Sequence, residues 1–178
     1  MSKQTLYLML GYPGAGKTTA AQIIHELTGA VHLWTDKERL TRYGEPTYSH
    51  EENLDIYSIL NQETAQLLSL GESVIFDTSF NYYKDRERLR DIAFSHNADC
   101  VVVWVTTHKP IAKERAIQNA HLQKTRIQGN MSLDVFERIS NNLEPPLRHE
   151  TFVELDGTQL TPEYVARRLG LDNESTKS

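Results

Sequence analysis

The residues of this chain best suited to chemistry form a glycine-rich loop near the amino terminus. Residues 11–18 read Gly-Tyr-Pro-Gly-Ala-Gly-Lys-Thr, which matches the complete pattern G-x-x-x-x-G-K-[ST]. In such a loop the glycines let main-chain N–H groups approach phosphate oxygens, while the lysine and the hydroxyl serve the phosphates and Mg²⁺. The sequence therefore predicts a nucleoside triphosphate site made by Gly11, Tyr12, Pro13, Gly14, Ala15, Gly16, Lys17, Thr18 and Thr19.

The segments on either side of this loop support the same prediction. Residues 6–10 are apolar and suit a buried strand, and residues 18–27 read as a helix. A strand, a loop and a helix in this order distinguish a phosphate-binding loop from a glycine-rich turn without a ligand. The amino terminus of the helix would add its favourable dipole to the binding of an anion.

Two carboxylates directly follow other apolar runs of the sequence. Asp36 comes after residues 31–34, and Asp77 comes after residues 73–76. Because ligands in open parallel sheets bind beyond the carboxyl ends of the strands, we expect both side chains near the loop. Thr18 and Asp77 are the predicted Mg²⁺ ligands. The alternative for Asp77 is a helix or turn cap that involves Thr78 and Ser79.

Asp36 and Arg39 form a pair at the end of the predicted second strand. Asp36 could accept the proton of an acceptor hydroxyl, while Arg39 holds the substrate or the transferred phosphate. The alternative is a salt bridge between residues i and i+3 on a first helical turn, which contributes roughly a few tenths of a kcal/mol.

The elements that must position these residues alternate between strands and helices. Apolar runs predict five strands, at residues 6–10, 31–34, 73–76, 99–106 and 152–155. Helical spacing and caps predict helices at residues 18–27, 51–70 and 83–96, from 110 onward, and at 132–141 and 161–169. We expect a loop at residues 42–50. The alternation predicts a parallel α/β sheet with right-handed crossovers, although periodicity leaves the strand order open.

The size and charge of the chain restrict its class. We expect one domain over residues 1–171 and a frayed polar tail over residues 172–178. The 19 basic and 24 acidic residues give a net charge of −5, which does not favour nucleic acid as a partner but leaves room for a local basic cleft. The single cysteine, the absence of a secretory signal and the lack of an apolar run of roughly 18 residues predict a cytoplasmic protein without a membrane span.

Three segments of the chain resemble a known family. They are residues 11–19 (GYPGAGKTT), 35–39 (TDKER) and 71–80 (GESVIFDTSF). They resemble the small P-loop kinases that carry the label of an AAA domain and that include the kinase domain of phage-type 5′-polynucleotide kinase. Zeta toxins and chloramphenicol phosphotransferase are more distant relatives. The similarity extends from about residue 5 to residues 143–146 and covers most of the chain.

This resemblance implies a P-loop NTPase fold, a three-layer sandwich around a five-stranded parallel sheet of order 2-3-1-4-5. It also implies a helical lid at about residues 109–130, whose arginines close over the phosphates. Arg115 matches one of these arginines. The second is usual about one turn later, where this chain has Asn119, and Lys124 and Arg126 are the two candidates to replace it.

Other side chains carry weaker expectations. Four tyrosines follow strands two and three and either line the acceptor pocket or are ordinary, partly buried side chains: Tyr43, Tyr48, Tyr82 and Tyr83. We expect Arg86, Arg88 and Arg90 to be solvated and Cys100 to be a buried structural thiol. The seven histidines form no cluster with the spacing of a zinc site.

Taken together, these features predict an ATP-dependent kinase that transfers the γ-phosphate to a hydroxyl of a small molecule or nucleotide. The predicted catalytic residues are Lys17, Asp36, Arg39 and Arg115, and Arg115 is also expected to bind the nucleotide. A polynucleotide 5′-hydroxyl kinase and a nucleotide-binding regulatory module are the alternatives. The acidic net charge favours a small acceptor over a polynucleotide.

Overall fold

A computed structural model describes residues 3–45, 47, 49–122, 124–125, 127 and 129–171 of the chain. Three of the expectations above concern residues outside these ranges: Tyr48 as a pocket residue, Arg126 as a lid arginine and the frayed tail at 172–178.

The five predicted strands form one parallel sheet. They are β1 (Thr5–Leu10), β2 (Val31–Trp34), β3 (Val74–Asp77), β4 (Asp99–Thr106) and β5 (Phe152–Asp156). Their order is β2-β3-β1-β4-β5, which confirms the order implied by the family resemblance. The central strand β1 is almost wholly apolar because helices cover both of its faces.

Seven α-helices connect and cover these strands in the described part of the chain. They are α1 (Lys17–Thr28), α2 (Thr35–Tyr43), α3 (His50–Ser69), α4 (Tyr83–Ser95), α5 (Lys109–Ile117), α6 (Leu133–Asn141) and α7 (Pro162–Leu169). A short 3₁₀ turn at Ala120–Leu122 follows α5. The sequence did not predict α2, because its polar residues offer little apolar periodicity. The helix begins directly after β2 and carries Asp36 in its first turn.

Two apolar layers hold the helices on the sheet and form a three-layer sandwich. On one face, α1 and α7 pack through Ile24 and Val165 against sheet residues such as Met9. On the other face, α3 and α4 pack through side chains such as Ile56 and Leu89. This architecture confirms the predicted fold class. None of the helices in the described ranges is long and apolar enough to cross a membrane.

A buried ion pair corrects the prediction that Arg86 is solvated. The side chains of Arg86 and Glu150 are both 0% exposed. Arg86 donates from Nε to Glu150 Oε1 and from Nη2 to Glu150 Oε2, both at 2.9 Å, and from Nη1 to the carbonyl of Phe80. The partner lies 64 residues away along the chain, so helical spacing could not reveal it. Arg90, 25% exposed, also donates to Glu150, whereas Arg88 is exposed as predicted.

Cys100 lies in β4 and packs against the layer of α3 and α4. It is half-buried, so the prediction of a buried thiol holds only in part. Burial raises the pKa of this thiol to about 12, which keeps it protonated near neutral pH.

Candidate active site

The glycine-rich loop joins β1 to α1, as the sequence predicts. Its glycines Gly11, Gly14 and Gly16 all have positive φ angles. At Gly14 the φ is +78°, and a Cβ there would lie 2.2 Å from the carbonyl oxygen of Ala112 in α5. A side chain at this position would therefore be both strained and obstructed, because α5 packs directly on the loop.

The positively charged groups of the loop, which are the Lys17 ammonium group and the main-chain N–H groups at the start of α1, lie close together. Lys17 donates from Nζ to the carbonyl oxygens of Gly11 and Tyr12, at 3.0 and 2.9 Å, which holds its ammonium group over the loop. The helix α1 begins after Gly16 without a side-chain cap, and its first turn contains no acidic residue. Main-chain N–H groups at such a helix start bind anions well, so this geometry suits phosphate.

Two residues that the sequence analysis did not identify support the loop from behind. Thr107 donates from Oγ1 to the carbonyl of Ala15 at 2.7 Å. Gly157, in the turn after β5, lies so close that a Cβ would be 2.0 Å from the Ala15 oxygen and 2.1 Å from Thr107 Oγ1. Arg115 donates to the carbonyl of Gly157 at 3.2 Å. In the sequence, the feature that could have pointed to Gly157 is its place just after the predicted last strand.

One cavity of about 770 Å³ joins the loop to the ends of β2 and β3. Of the predicted site residues in the described ranges, the following line it: Pro13, Gly14, Gly16, Lys17, Thr18, Thr19, Asp36, Arg39 and Asp77. The structure therefore brings the phosphate loop and all three predicted strand-end residues together. Arg115 does not line this cavity and instead contacts the turn after β5.

Arg39 is buried beneath this cavity and held by α3. Its side chain is 5% exposed and forms an ion pair with Glu52, whose side chain is equally buried. Arg39 also donates from Nη2 to Oδ1 of Asn53 at 2.8 Å. The side chain of Arg39 is therefore buried and tied to α3. The burial of both partners explains why its position is fixed.

Asp77 is the last residue of β3 and is 2% exposed. Its Oδ2 lies 3.0 Å from Nε2 of His32 on the neighbouring strand, and in the tautomer with the proton on Nε2 the histidine donates to it. The Thr18 hydroxyl and the Asp77 carboxylate line the same cavity and offer the hard oxygen ligands that Mg²⁺ prefers. The residues present thus fit Mg²⁺. No group of three His, Cys, Asp or Glu residues suited to a metal occurs in the described ranges, so phosphates and water would complete such a site.

The tyrosines of the cavity differ from those that the sequence analysis proposed. Tyr57 of α3 lines the cavity, and its hydroxyl lies 2.9 Å from Thr78 Oγ1; burial raises its pKa. Tyr43 instead donates to Asp55, Tyr82 is 47% exposed, and Tyr83 contacts His149. Of the two alternatives for these three tyrosines, the structure thus supports ordinary side chains that lie outside the pocket. Proximity to a strand end did not reveal which way their side chains point.

One face of α6 forms the wall of the cavity opposite the sheet. It presents Ser132, Val135, Arg138 and Ile139, whose spacing follows one helical stripe. From the predicted lid, Thr125, Ile127, Gly129 and Asn130 also line the cavity. Lys124, proposed as a replacement lid cation, does not. Arg138 was not predicted as a site residue, although the predicted cap at Ser132 places it on this stripe.

Comparison with solved structures shows that the fold is a common one among kinases. A candidate kinase from Chloroflexus aurantiacus J-10-fl superposes with a TM-score of 0.74 at 16% identity, covering 96% of this chain and 98% of that one. A sugar kinase from Janibacter sp. HTCC2649 superposes with a TM-score of 0.67 at 19% identity, covering 99% of this chain and 100% of that one. The APS kinase of Mycobacterium tuberculosis, solved in complex with AMPPNP and APS, superposes with a TM-score of 0.66 at 15% identity, covering 96% of this chain and 98% of that one.

The sequence itself also matches a family. No curated protein matches this chain. The family model described as the AAA domain, however, matches residues 6–146, which include the phosphate loop, Asp36, Asp77 and α6. Because this match spans most of the chain, the protein belongs to the AAA domain family.

Proposed function

We propose that this protein is an ATP-dependent kinase that transfers the γ-phosphate to a hydroxyl of a small molecule or nucleotide. One observation carries the proposal. A single cavity contains both a phosphate-binding loop, with Lys17 and Thr18, and a carboxylate at a neighbouring strand end, Asp36. A loop alone would support nucleotide binding, whereas the added carboxylate supplies a base for the acceptor.

Each residue has a defined role in this proposal. Lys17 and the N–H groups at the start of α1 bind the phosphates and offset their charge. Asp36 accepts the proton of the acceptor hydroxyl as its oxygen attacks the γ-phosphorus. Thr18 and Asp77 would hold Mg²⁺, which when bound neutralises charge on the phosphates. Arg39, fixed by Glu52, forms part of the acceptor side.

Arg115 is proposed to serve the nucleotide. Its guanidinium group holds the turn at Gly157, which in turn contacts Ala15 of the phosphate loop. A nucleotide whose phosphates lie in the loop would extend past this turn. From here Arg115 can contact the nucleotide and also keep the loop in place.

The cavity supports a small acceptor. Its volume of about 770 Å³ is sufficient for the transferring phosphates together with a small acceptor. Trp34, Tyr57, Val135 and Ile139 provide aromatic and apolar walls. The structurally similar sugar kinase and APS kinase are named for small substrates, which is consistent with this proposal.

A transfer assay with radiolabelled ATP tests the proposal. Purified protein is incubated with Mg²⁺, [γ-³²P]ATP and separate pools of sugars and polyols, nucleosides, aminoglycoside-like alcohols and 5′-hydroxyl oligonucleotides. We expect label in a small-molecule pool and none with the Lys17→Ala variant. Label in the oligonucleotides alone would establish the polynucleotide alternative. Binding of ATP without transfer to any pool would favour the regulatory module.

A further inference from the structure

The charges around the cavity are unevenly distributed. The two carboxylates Asp36 and Asp77 line it on the sheet side. Among the described residues, the cations that line it are Lys17, Arg39 and Arg138. Lys17 lies at the loop, and Arg39 is balanced by its ion pair with Glu52. Arg138 differs from both, because within the described part of the chain no hydrogen bond or ion pair engages its guanidinium group.

The other cations close to α6 are neutralised. Lys109 and Lys113 of α5 both donate to Glu137, at 2.8 and 3.1 Å. These contacts lower the pKa of the Glu137 carboxyl and tie one side of α6 to α5. Glu137 therefore faces α5, while the next residue, about 100° around the helix, faces the cavity.

The helix that carries Arg138 is anchored at its carboxyl-terminal end. Asn81 donates from Nδ2 to the carbonyl of Ile139 at 2.9 Å, and its own carbonyl accepts from the N–H of Glu144 at 2.8 Å. At the other end, the N–H of Met131 donates to the carbonyl of Ala116 in α5. Arg138 is thus presented to the cavity from a fixed helix, which suits a preorganised charge.

Arg138 is an exposed residue at the wall of the cavity, so water solvates its guanidinium group in the free protein and an anionic group of a bound ligand can take the place of that water. The donor triphosphate is the one reactant whose negative charge the proposed reaction guarantees, since the acceptor needs only a hydroxyl. Arginine binds phosphate oxygens by two parallel hydrogen bonds, and the charge on the γ-phosphoryl group is the charge that moves during transfer.

This inference rests on the proposed kinase function. We propose that Arg138 is a catalytic residue that binds the γ-phosphoryl group of the nucleotide and stabilises its charge during transfer to the acceptor. The phosphorus–oxygen bond to the β-phosphate breaks as the bond to the acceptor oxygen forms. The acceptor proton passes to Asp36, and ADP leaves with the bonding electrons.

Nucleotide affinity tests this role without knowledge of the acceptor. Calorimetric titration with Mg²⁺ compares AMPPNP, which has a γ-phosphoryl group, with ADP, which does not. Replacing Arg138 by methionine should raise the Kd for AMPPNP about tenfold or more and the Kd for ADP less than about twofold. Arg138→Lys should restore part of the AMPPNP affinity. Arg88→Met, a matched change on the exposed face of α4, should alter neither.

Four results would overturn the assignment. Equal losses for both nucleotides would mean that Arg138 acts on the fold or on the whole nucleotide. No loss for either, together with a raised KM for an identified acceptor, would place Arg138 on the acceptor. A wild-type protein that binds neither nucleotide would refute the proposed function and this inference together. Wild-type transfer that Arg138→Met leaves unchanged would refute this inference alone.

Discussion

Substitution of Gly157 by alanine should displace the phosphate loop, although Gly157 lies outside the loop in sequence. The added Cβ would lie 2.0 Å from the Ala15 carbonyl oxygen, 2.1 Å from Thr107 Oγ1 and 3.0 Å from Val105 Cγ1. The first of these atoms belongs to the main chain of the loop. The second is the hydroxyl that hydrogen-bonds to that carbonyl, so it cannot turn away without losing this bond.

The size of the effect follows from these distances. Since real Cβ contacts are essentially never shorter than 3.0 Å, the loop and the turn after β5 must separate by about 1 Å. Overpacking of this kind costs about 1–3 kcal/mol of the free energy of unfolding. For a domain of this size, that loss corresponds to a fall in Tm of about 2–12 °C. A misplacement of about 1 Å at the phosphates should also lower the transfer rate about 100-fold.

Thermal unfolding and ATP titration measure both consequences. For the Tm measurement, the control is Gly129→Ala, whose ideal Cβ has no atom within 4 Å and which should change Tm by less than about 2 °C; because Gly129 lines the cavity, this variant is not a control for ATP binding. We expect Gly157→Ala to lower Tm and weaken ATP binding, with the weaker binding persisting at temperatures where the variant is folded. A Gly157→Ala variant with the Tm and ATP affinity of the wild type would refute the reasoning.

Three further predictions concern buried groups. Arg86→Met leaves the Glu150 carboxylate buried beside Arg90 and should cost about 3–5 kcal/mol in urea unfolding, whereas a cost no larger than that of Arg88→Met would contradict this. Burial alone would raise the pKa of Glu150, but hydrogen bonds from Arg86 and Leu147 lower it below its ordinary value. The free energy of unfolding should therefore fall as pH drops below about 4.5, and Glu150→Gln should make this fall less steep. An equally steep fall in the variant would contradict this prediction. Because burial raises the pKa of Cys100 to about 12, iodoacetamide at pH 8 should alkylate it at least about tenfold faster in urea than in the native protein, and equal rates would rule this out.

The sequence predicted those features that depend on neighbouring residues. Alternating apolar runs identified all five strands, and capping residues such as Ser132 and Thr161 located the starts of α6 and α7. The loop and the two strand-end carboxylates were found because parallel strands direct their carboxyl ends to one edge. The strand order came from the family resemblance and was confirmed.

The features that the sequence did not reveal depend on contacts between distant segments. Arg86 reads as one charge of a solvated helix until Glu150 is placed beside it. Gly157 and Thr107 support the loop from strands that are far away in the chain. Arg39 and Tyr57 acquire their surroundings from the packing of α2 and α3, and α2 itself has too little apolar periodicity to be predicted. Side-chain direction at a strand end is likewise set by such packing.

The central claim is that Asp36 acts as the base for a hydroxyl acceptor in a cavity that also binds ATP. The most direct test compares wild-type and Asp36→Asn protein, measuring kcat for transfer to the acceptor found by the radiolabel screen and the Kd for ATP. If Asp36 is the base, kcat should fall about 10²–10⁴-fold while the Kd for ATP changes less than about threefold. An unchanged kcat in Asp36→Asn, with ATP still bound, would contradict it.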